Sequence, residues 1–210
     1  MVEFTDGFTP VPVSGLWPFL HDVNTWRSRI QLISQDGPAL GNSVVATSLL
    51  TAASKIVVPA SVFQVGNVFR IEATGRVSNI ITTPGTLTLD IRFVSSAGTV
   101  IVANGGAMSL NIVAKTNVPW YLYWLFTVRA AGITANLMHQ GGWVSESVVG
   151  SPLPTVGSAG EALLPNAAPV VGSNFNSSLD QTLDLFGTWS IANAGNTLQV
   201  HQLIVEPVFT

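Results

Sequence analysis

Histidines, carboxylates and serines are the side chains from which a chain without cysteine would build metal, acid–base or nucleophilic chemistry. Their spacing here sets up none of the three. His21, His139 and His201 are isolated, with no His-x-x-x-His or carboxylate–histidine pattern to supply three or four metal ligands. They read as hydrogen-bonded or surface histidines. Serines abound, but there is no Gly-x-Ser-x-Gly elbow, and nothing in the order of residues brings Asp and His to any one of them. Glycoside hydrolysis needs two carboxylates at a set separation. Asp180 and Asp184 share one face of an alternating strand, but in TLDLFGTWSI that face also carries Thr188 and Ser190, so a solvated sheet face is expected. The segments NGGAM and GSAGE lack the lysine and the strand-to-helix setting of a phosphate loop. With no cysteine, thiolate metal sites, cysteine nucleophiles and disulfide staples drop out. No catalytic, cofactor-binding or metal-binding residue is assigned, and no enzyme is expected.

Binding chemistry is better represented. In Trp120-Tyr121-Leu122-Tyr123-Trp124-Leu125-Phe126, alternation puts Trp120, Leu122, Trp124, Phe126 and Val128 on one side, expected to be core. Tyr121, Tyr123 and Leu125 then face outward, where aromatic side chains form a subunit interface or stack on sugar rings. Trp143, after Gln140-Gly141-Gly142, has the same two readings. In the last strand, Leu198, Val200 and Ile204 are assigned to one face and Gln199, His201, Leu203 and Val205 to the other. A half-buried His201 there would make assembly pH-sensitive on protonation.

The elements that must position these residues are strands. From Val68 to Val94, Phe69, Ile71, Ala73, Gly75 and Val77 alternate with Arg70, Glu72, Thr74, Arg76 and Ser78, and Leu87, Leu89, Ile91 and Phe93 alternate with Thr86, Thr88, Asp90 and Arg92. Thr83-Pro84-Gly85 between them suggests an antiparallel hairpin, with Glu72 opposite Arg92 or Arg76 opposite Asp90. Strands are expected near 44–50, 68–79, 86–95, 106–113, 118–130, 134–149, 180–192 and 197–208, divided by Gly66-Asn67, Ala97-Gly98, Asn104-Gly105-Gly106, Gly132 and Asn193-Ala194-Gly195-Asn196. About eight antiparallel strands without helical crossovers predict an all-β jelly-roll sandwich, with an immunoglobulin-like sandwich as the competing topology.

Residues 1–43 read as an extended N-terminal arm, rich in proline and carrying Phe4, Phe8, Trp17, Phe19 and Trp26, side chains costly to leave in water. A short helix from Asn24 to about Ser34 is compatible with the pattern. Residues 44–210 then form a single β domain. The Gly-, Pro-, Ser- and Asn-rich stretch 150–179 is a long loop, and Leu163, Leu164, Val170, Val171 and Phe175 in it predict an ordered excursion against another chain. The candidate subunit or partner interface is accordingly Phe4, Phe8, Trp17, Phe19, Tyr121, Tyr123, Leu163, Leu164 and Phe175. The candidate glycan site is Tyr121, Tyr123 and Trp143.

Only 9% of the residues are charged, against about 25% in ordinary domains, so part of the surface is expected to be covered in an assembly. Net charge −3, with Lys55 and Lys115 the only lysines, disfavours a non-specific nucleic-acid partner. VPWYLYWLFTV is about half the roughly 20 residues of a membrane helix, and the N-terminus lacks a basic segment followed by an apolar one. Neither a membrane nor a secretory route is expected.

The blocks GRVSNIITTPGTLTLDIRF, NGGAMSLN, NLMHQGG, LLPNAAPVVGS and LDLFGTWSIANAGNTLQVHQLIVE, spread over residues 45–208, resemble a group of phage virion structural proteins. The resemblance implies a jelly-roll subunit of the particle, first of all a capsid decoration (cement) protein. Such a subunit sits as a homotrimer where capsomers meet, bound to the major capsid protein, on a virion assembled in the host cytoplasm. A receptor-binding or tail-fibre head recognising host glycan is the alternative, and a hydrolase is a distant third. The mechanism implied is burial of apolar surface between shell subunits, repeated over the particle.

Overall fold

Period-two alternation governs the long strands. In a computed structural model, which describes residues 31–32, 35–80, 82–149 and 160–208, the apolar rows Phe69, Ile71, Ala73, Val77 and Leu87, Leu89, Ile91, Phe93 are all buried. The described residues form twelve strands: β1 (Gln31–Leu32), β2 (Leu40–Gly41), β3 (Thr47–Ser48), β4 (Ile56–Val58), β5 (Val68–Asn79), β6 (Thr86–Ser95), β7 (Gly98–Ser109), β8 (Lys115–Ala130), β9 (Asn136–Ser145), β10 (Glu161–Leu164), β11 (Gln181–Trp189) and β12 (Thr197–Val208). Every pairing is antiparallel. The larger sheet runs β1-β12-β5-β8-β9-β10 with β2 also on β12, and the smaller runs β3-β11-β6-β7 with β4 also on β11. Their inner faces meet in one apolar cluster, so the protein is an all-β sandwich.

The expected hairpin of 68–94 does not form. β5 pairs with β12 and β8, whereas β6 pairs with β11 and β7, so the chain crosses from one sheet to the other between β5 and β6. Two strands that each turn an apolar row inward can pack face to face as readily as they pair edge to edge, and here they do the former. The pairs Glu72 with Arg92 and Arg76 with Asp90 are therefore absent. Glu72 instead meets Arg70 at 3.0 Å, and Asp90 meets Arg92 at 2.6 Å. Asn196, fully buried, holds the crossing: its amide donates to Pro84 O (2.8 Å) and its Oδ1 accepts from Ile80 N (3.0 Å).

Two bulges shift strands from their expected places. Asn104-Gly105-Gly106 is no break; it lies within β7, where Gly106 takes φ +76° and the pairing with β6 slips. The strand thus spans 98–109 where 106–113 was expected. In β12 the register slips between Val200 and Gln202, so Leu198, Val200, Leu203 and Val205 all face inward, and His201 and Ile204 lie on the outer side. The single-face assignment made from strict alternation fails at that point.

At the N-terminal side, β1 and β2 already belong to the larger sheet, so the sandwich takes in part of the stretch read as an arm at 1–43. Of the expected helix at 24–34, Gln31 and Leu32 are strand; 24–30 lie outside the described residues, as do Phe4, Phe8, Trp17, Phe19 and Trp26.

Candidate functional site

The loop after β9 closes one edge of the sandwich. β10 adds to β9, Gly172 N donates to Leu137 O (2.8 Å), Phe175 N to Ala135 O (2.8 Å) and Asn166 N to Gly105 O (3.0 Å). Leu164 and Phe175, expected at an interface with another chain, are instead buried in this chain's own core, Phe175 edge-on to Phe63 and Phe93. They anchor the loop, and the anchoring leaves their neighbours outside: Leu163 is 50% exposed, Val170 63% and Val171 47%, with Ile101 of β7 beside Val170 and Val171. Apolar residues held outward on a pinned backbone form a preformed contact surface.

A cavity of about 420 Å³ lies between this loop and β7, lined by Ile101, Asn104, Asn166, Val170, Ser173 and His139, among others. His139 is an inward-facing residue of β9, only 4% exposed, and its Nδ1 accepts a hydrogen bond from Trp124 Nε1 at 3.2 Å. The neutral ring therefore carries its proton on Nε2. Burial lowers its pKa below the ordinary histidine value.

The outer face of the larger sheet carries the aromatic pair. Tyr121 and Tyr123 point away from the core as alternation requires, their ring planes 30° apart with centroids at 6.1 Å. Tyr123 stands opposite Gly142 of β9, and its ring lies over that glycine: a Cβ there would sit 2.6 Å from the Tyr123 hydroxyl oxygen and 2.8 Å from Cε1 and Cζ. The hydroxyl donates to Glu161 of β10 at 3.1 Å. Partial burial and that carboxylate raise the Tyr123 phenol above its ordinary pKa, and partial burial and Glu72 do the same for Tyr121. Arg70 bridges Glu72 and Glu206, which raises its pKa. Around the pair, an open cleft of about 870 Å³ is lined by Thr74, Arg76, Asn117, Tyr121, Glu146 and His201, and a trough of about 380 Å³ by Arg70, Tyr123, Leu125, Gln140 and Leu163. His201 Nδ1 lies 2.8 Å from Asp36 Oδ1. Trp143, the third residue of the expected glycan site, is fully buried with its ring edge-on to Trp120, and no part of this face.

On the smaller sheet's outer face, Asp184 is 1% exposed, contrary to the solvated face expected for it. Ser48 Oγ donates to its Oδ1 at 2.7 Å and Lys55 Nζ lies 2.6 Å from Oδ2. Beside it Asp90 holds Arg92, whose guanidinium carbon sits 3.9 Å from the Phe186 ring centre. Asp180 does not join them; its Oδ1 accepts from Ala60 N at 2.9 Å. Lys55, just before β4, and Ser48 of β3 reach this row from the edge, so a polar row can be buried when each charge finds its partner.

Among the described residues no group of three or more His, Asp or Glu side chains is placed to hold a metal ion, and no helix is long and apolar enough to cross a membrane. The residues that sequence patterning did not single out are Gly142, Glu161 and Ile101. Only the strand register, Tyr123 opposite Gly142 opposite Leu163, identifies Gly142 as the bed of an aromatic ring. No protein-family model, curated protein or solved structure matches the chain.

Proposed function

We propose that this chain is a non-enzymatic jelly-roll subunit of a phage virion that decorates the capsid and cements neighbouring capsomers. The observation that carries the reading is the anchored loop edge. Val170, Val171 and Ile101 are exposed aliphatics on a backbone pinned to β9 and β7, where folding of this chain alone has no use for them. A permanent interface is the physical setting in which such a surface is covered.

The jelly-roll reading is supported by the order of pairing. The first pieces, β1 and β2, pair with the last strand, β12; β3 and β4 pair with β11; β5 pairs with β8; and β6 pairs with β7. Successive pairs alternate between the two sheets, as a long hairpin wrapped into a sandwich requires, and β9 with β10 extends one edge. Low charge and the resemblance of residues 45–208 to virion structural proteins point the same way. Self-association as a trimer and contact with the major capsid protein complete the proposal.

The test is the copy number of this chain in purified particles, measured against the major capsid protein by quantitative mass spectrometry. Cementing over the whole shell gives roughly one copy for every one to three capsid subunits. A few copies per particle would place the chain at a tail or a single vertex and overturn the reading. In reconstitution, Val170→Asp with Val171→Asp should abolish binding to bare shells while the sandwich stays folded.

A further inference from the structure

The outer face of the larger sheet has features that a cementing contact at the loop edge does not use. We propose that it binds an acidic oligosaccharide, one pyranose ring lying on Tyr121 and Tyr123 and its carboxylate meeting Arg76. The aromatic platform is prebuilt. Tyr123 rests on Gly142 and is tied at its far end to Glu161, so its ring is held before any ligand arrives. Holding an aromatic ring flat on a sheet presents its face, the surface on which the C–H side of a sugar stacks.

The space on both sides of the pair suits a chain of sugars. The cleft of about 870 Å³ lies beside Tyr121 and the trough of about 380 Å³ beside Tyr123, so a linear ligand crosses the platform with a ring on either side. Thr74, Asn117 and Gln140, which line these hollows, match hydroxyl groups. A flat protein partner would bridge both hollows and cover the ion pairs of Arg70 with Glu72 and Glu206 to no gain.

The unpartnered cation of the cleft identifies the sugar as acidic, since the carboxylates around it are already engaged, Glu146 with Lys115, Glu161 with the Tyr123 hydroxyl and Asp36 with His201. Arg70 is paired to Glu72 and Glu206, Lys115 to Glu146 at 3.0 Å, Arg129 lies at the far end of β8 outside the cleft, and Arg92 and Lys55 lie on the other sheet. Arg76 is exposed and has no ion-pair partner among the described residues. In register Thr74 stands opposite Tyr121 and Arg76 opposite Pro119, which puts Arg76 diagonal to Tyr121, roughly 7–8 Å away, on the same face. A carboxylate on a ring stacked at Tyr121 reaches that guanidinium.

The experiment titrates the full-length protein by calorimetry with tetragalacturonate, an α2,8-linked sialic acid trimer and a hyaluronan tetrasaccharide, with cellotetraose as the neutral control. At least one acidic probe should bind more tightly than cellotetraose. Tyr121→Ala and Tyr123→Ala should each weaken it about tenfold or more. Gly142→Ala should weaken it comparably by lifting the Tyr123 ring, with an unchanged melting curve. Arg76→Gln should erase the preference for acid over neutral sugar. The proposal is overturned if no acidic probe binds at millimolar concentration, if the Tyr121→Ala, Tyr123→Ala double variant keeps wild-type affinity, or if cellotetraose binds as well as the acids. The Val170→Asp, Val171→Asp variant should bind sugar normally, so failure at the loop edge and failure here are told apart.

Discussion

Acidification should destabilise this protein through His139. The ring is 4% exposed, and Trp124 Nε1 already donates to its Nδ1. A proton added at Nδ1 would face that N–H donor to donor, beside a cavity that no carboxylate among the described residues lines. The folded-state pKa is accordingly below that of the unfolded chain, near 6.5. With the folded pKa depressed, the unfolded chain binds more protons as pH falls below about 6.5, so stability is complete above that value and drains away on acidification. From pH 7.5 to 5.5 one such group removes at most about 1.4 kcal/mol, which for a chain of this size lowers the melting temperature by about 3 to 5 °C. The assay is calorimetric melting at half-unit steps of pH in a His21→Gln, His201→Gln background, where His139 is the remaining histidine. Adding His139→Gln, whose amide oxygen can still accept from Trp124, should flatten the profile over that range. A melting temperature that does not move between pH 7.5 and 5.5, or one that moves equally with His139→Gln, refutes the argument.

Three further substitutions probe the sandwich. Leu89→Asp puts a charge among Leu87, Ile91 and Phe93 at a fully buried position and should yield only insoluble chain on expression, since an unpaired buried carboxylate costs several kcal/mol. Asp184→Ala strands Ser48 and the partly exposed Lys55 and should cost about 2 kcal/mol or more, read as a lower urea midpoint with unchanged slope. Gly172→Ala drives a Cβ to within 1.9 Å of the Val102 carbonyl oxygen, so the loop must lift from β7; capsid association should fall while the melting curve of the core stays close to wild type.

Periodicity makes a strand's inner face legible, and it did so for Phe69 to Val77, Leu87 to Phe93 and Trp120 to Val128, all of which are core. It carries no information about which strand lies next to which. Two alternating segments joined by a Pro-Gly turn satisfy a hairpin and a sheet crossing equally well, and the buried amide of Asn196, far along the chain, stabilises the crossing. Parity also fails wherever an extra residue enters a ladder, which is why His201 and Leu203 cannot be placed by counting from Leu198. Residue type misleads in both directions at the candidate surfaces. Asp184 is polar yet buried because Ser48 and Lys55 come to it from distant segments, and Leu164 and Phe175 are apolar yet unavailable to a partner because they hold their own loop down. What remained outside after that anchoring, Leu163, Val170 and Val171, is the part of the loop with a surface to offer. The same logic separates Tyr123 from Trp143: both follow from an aromatic-rich sequence, but only Tyr123 stands over a glycine, and a ring with nothing beneath it but backbone is one that a ligand can use.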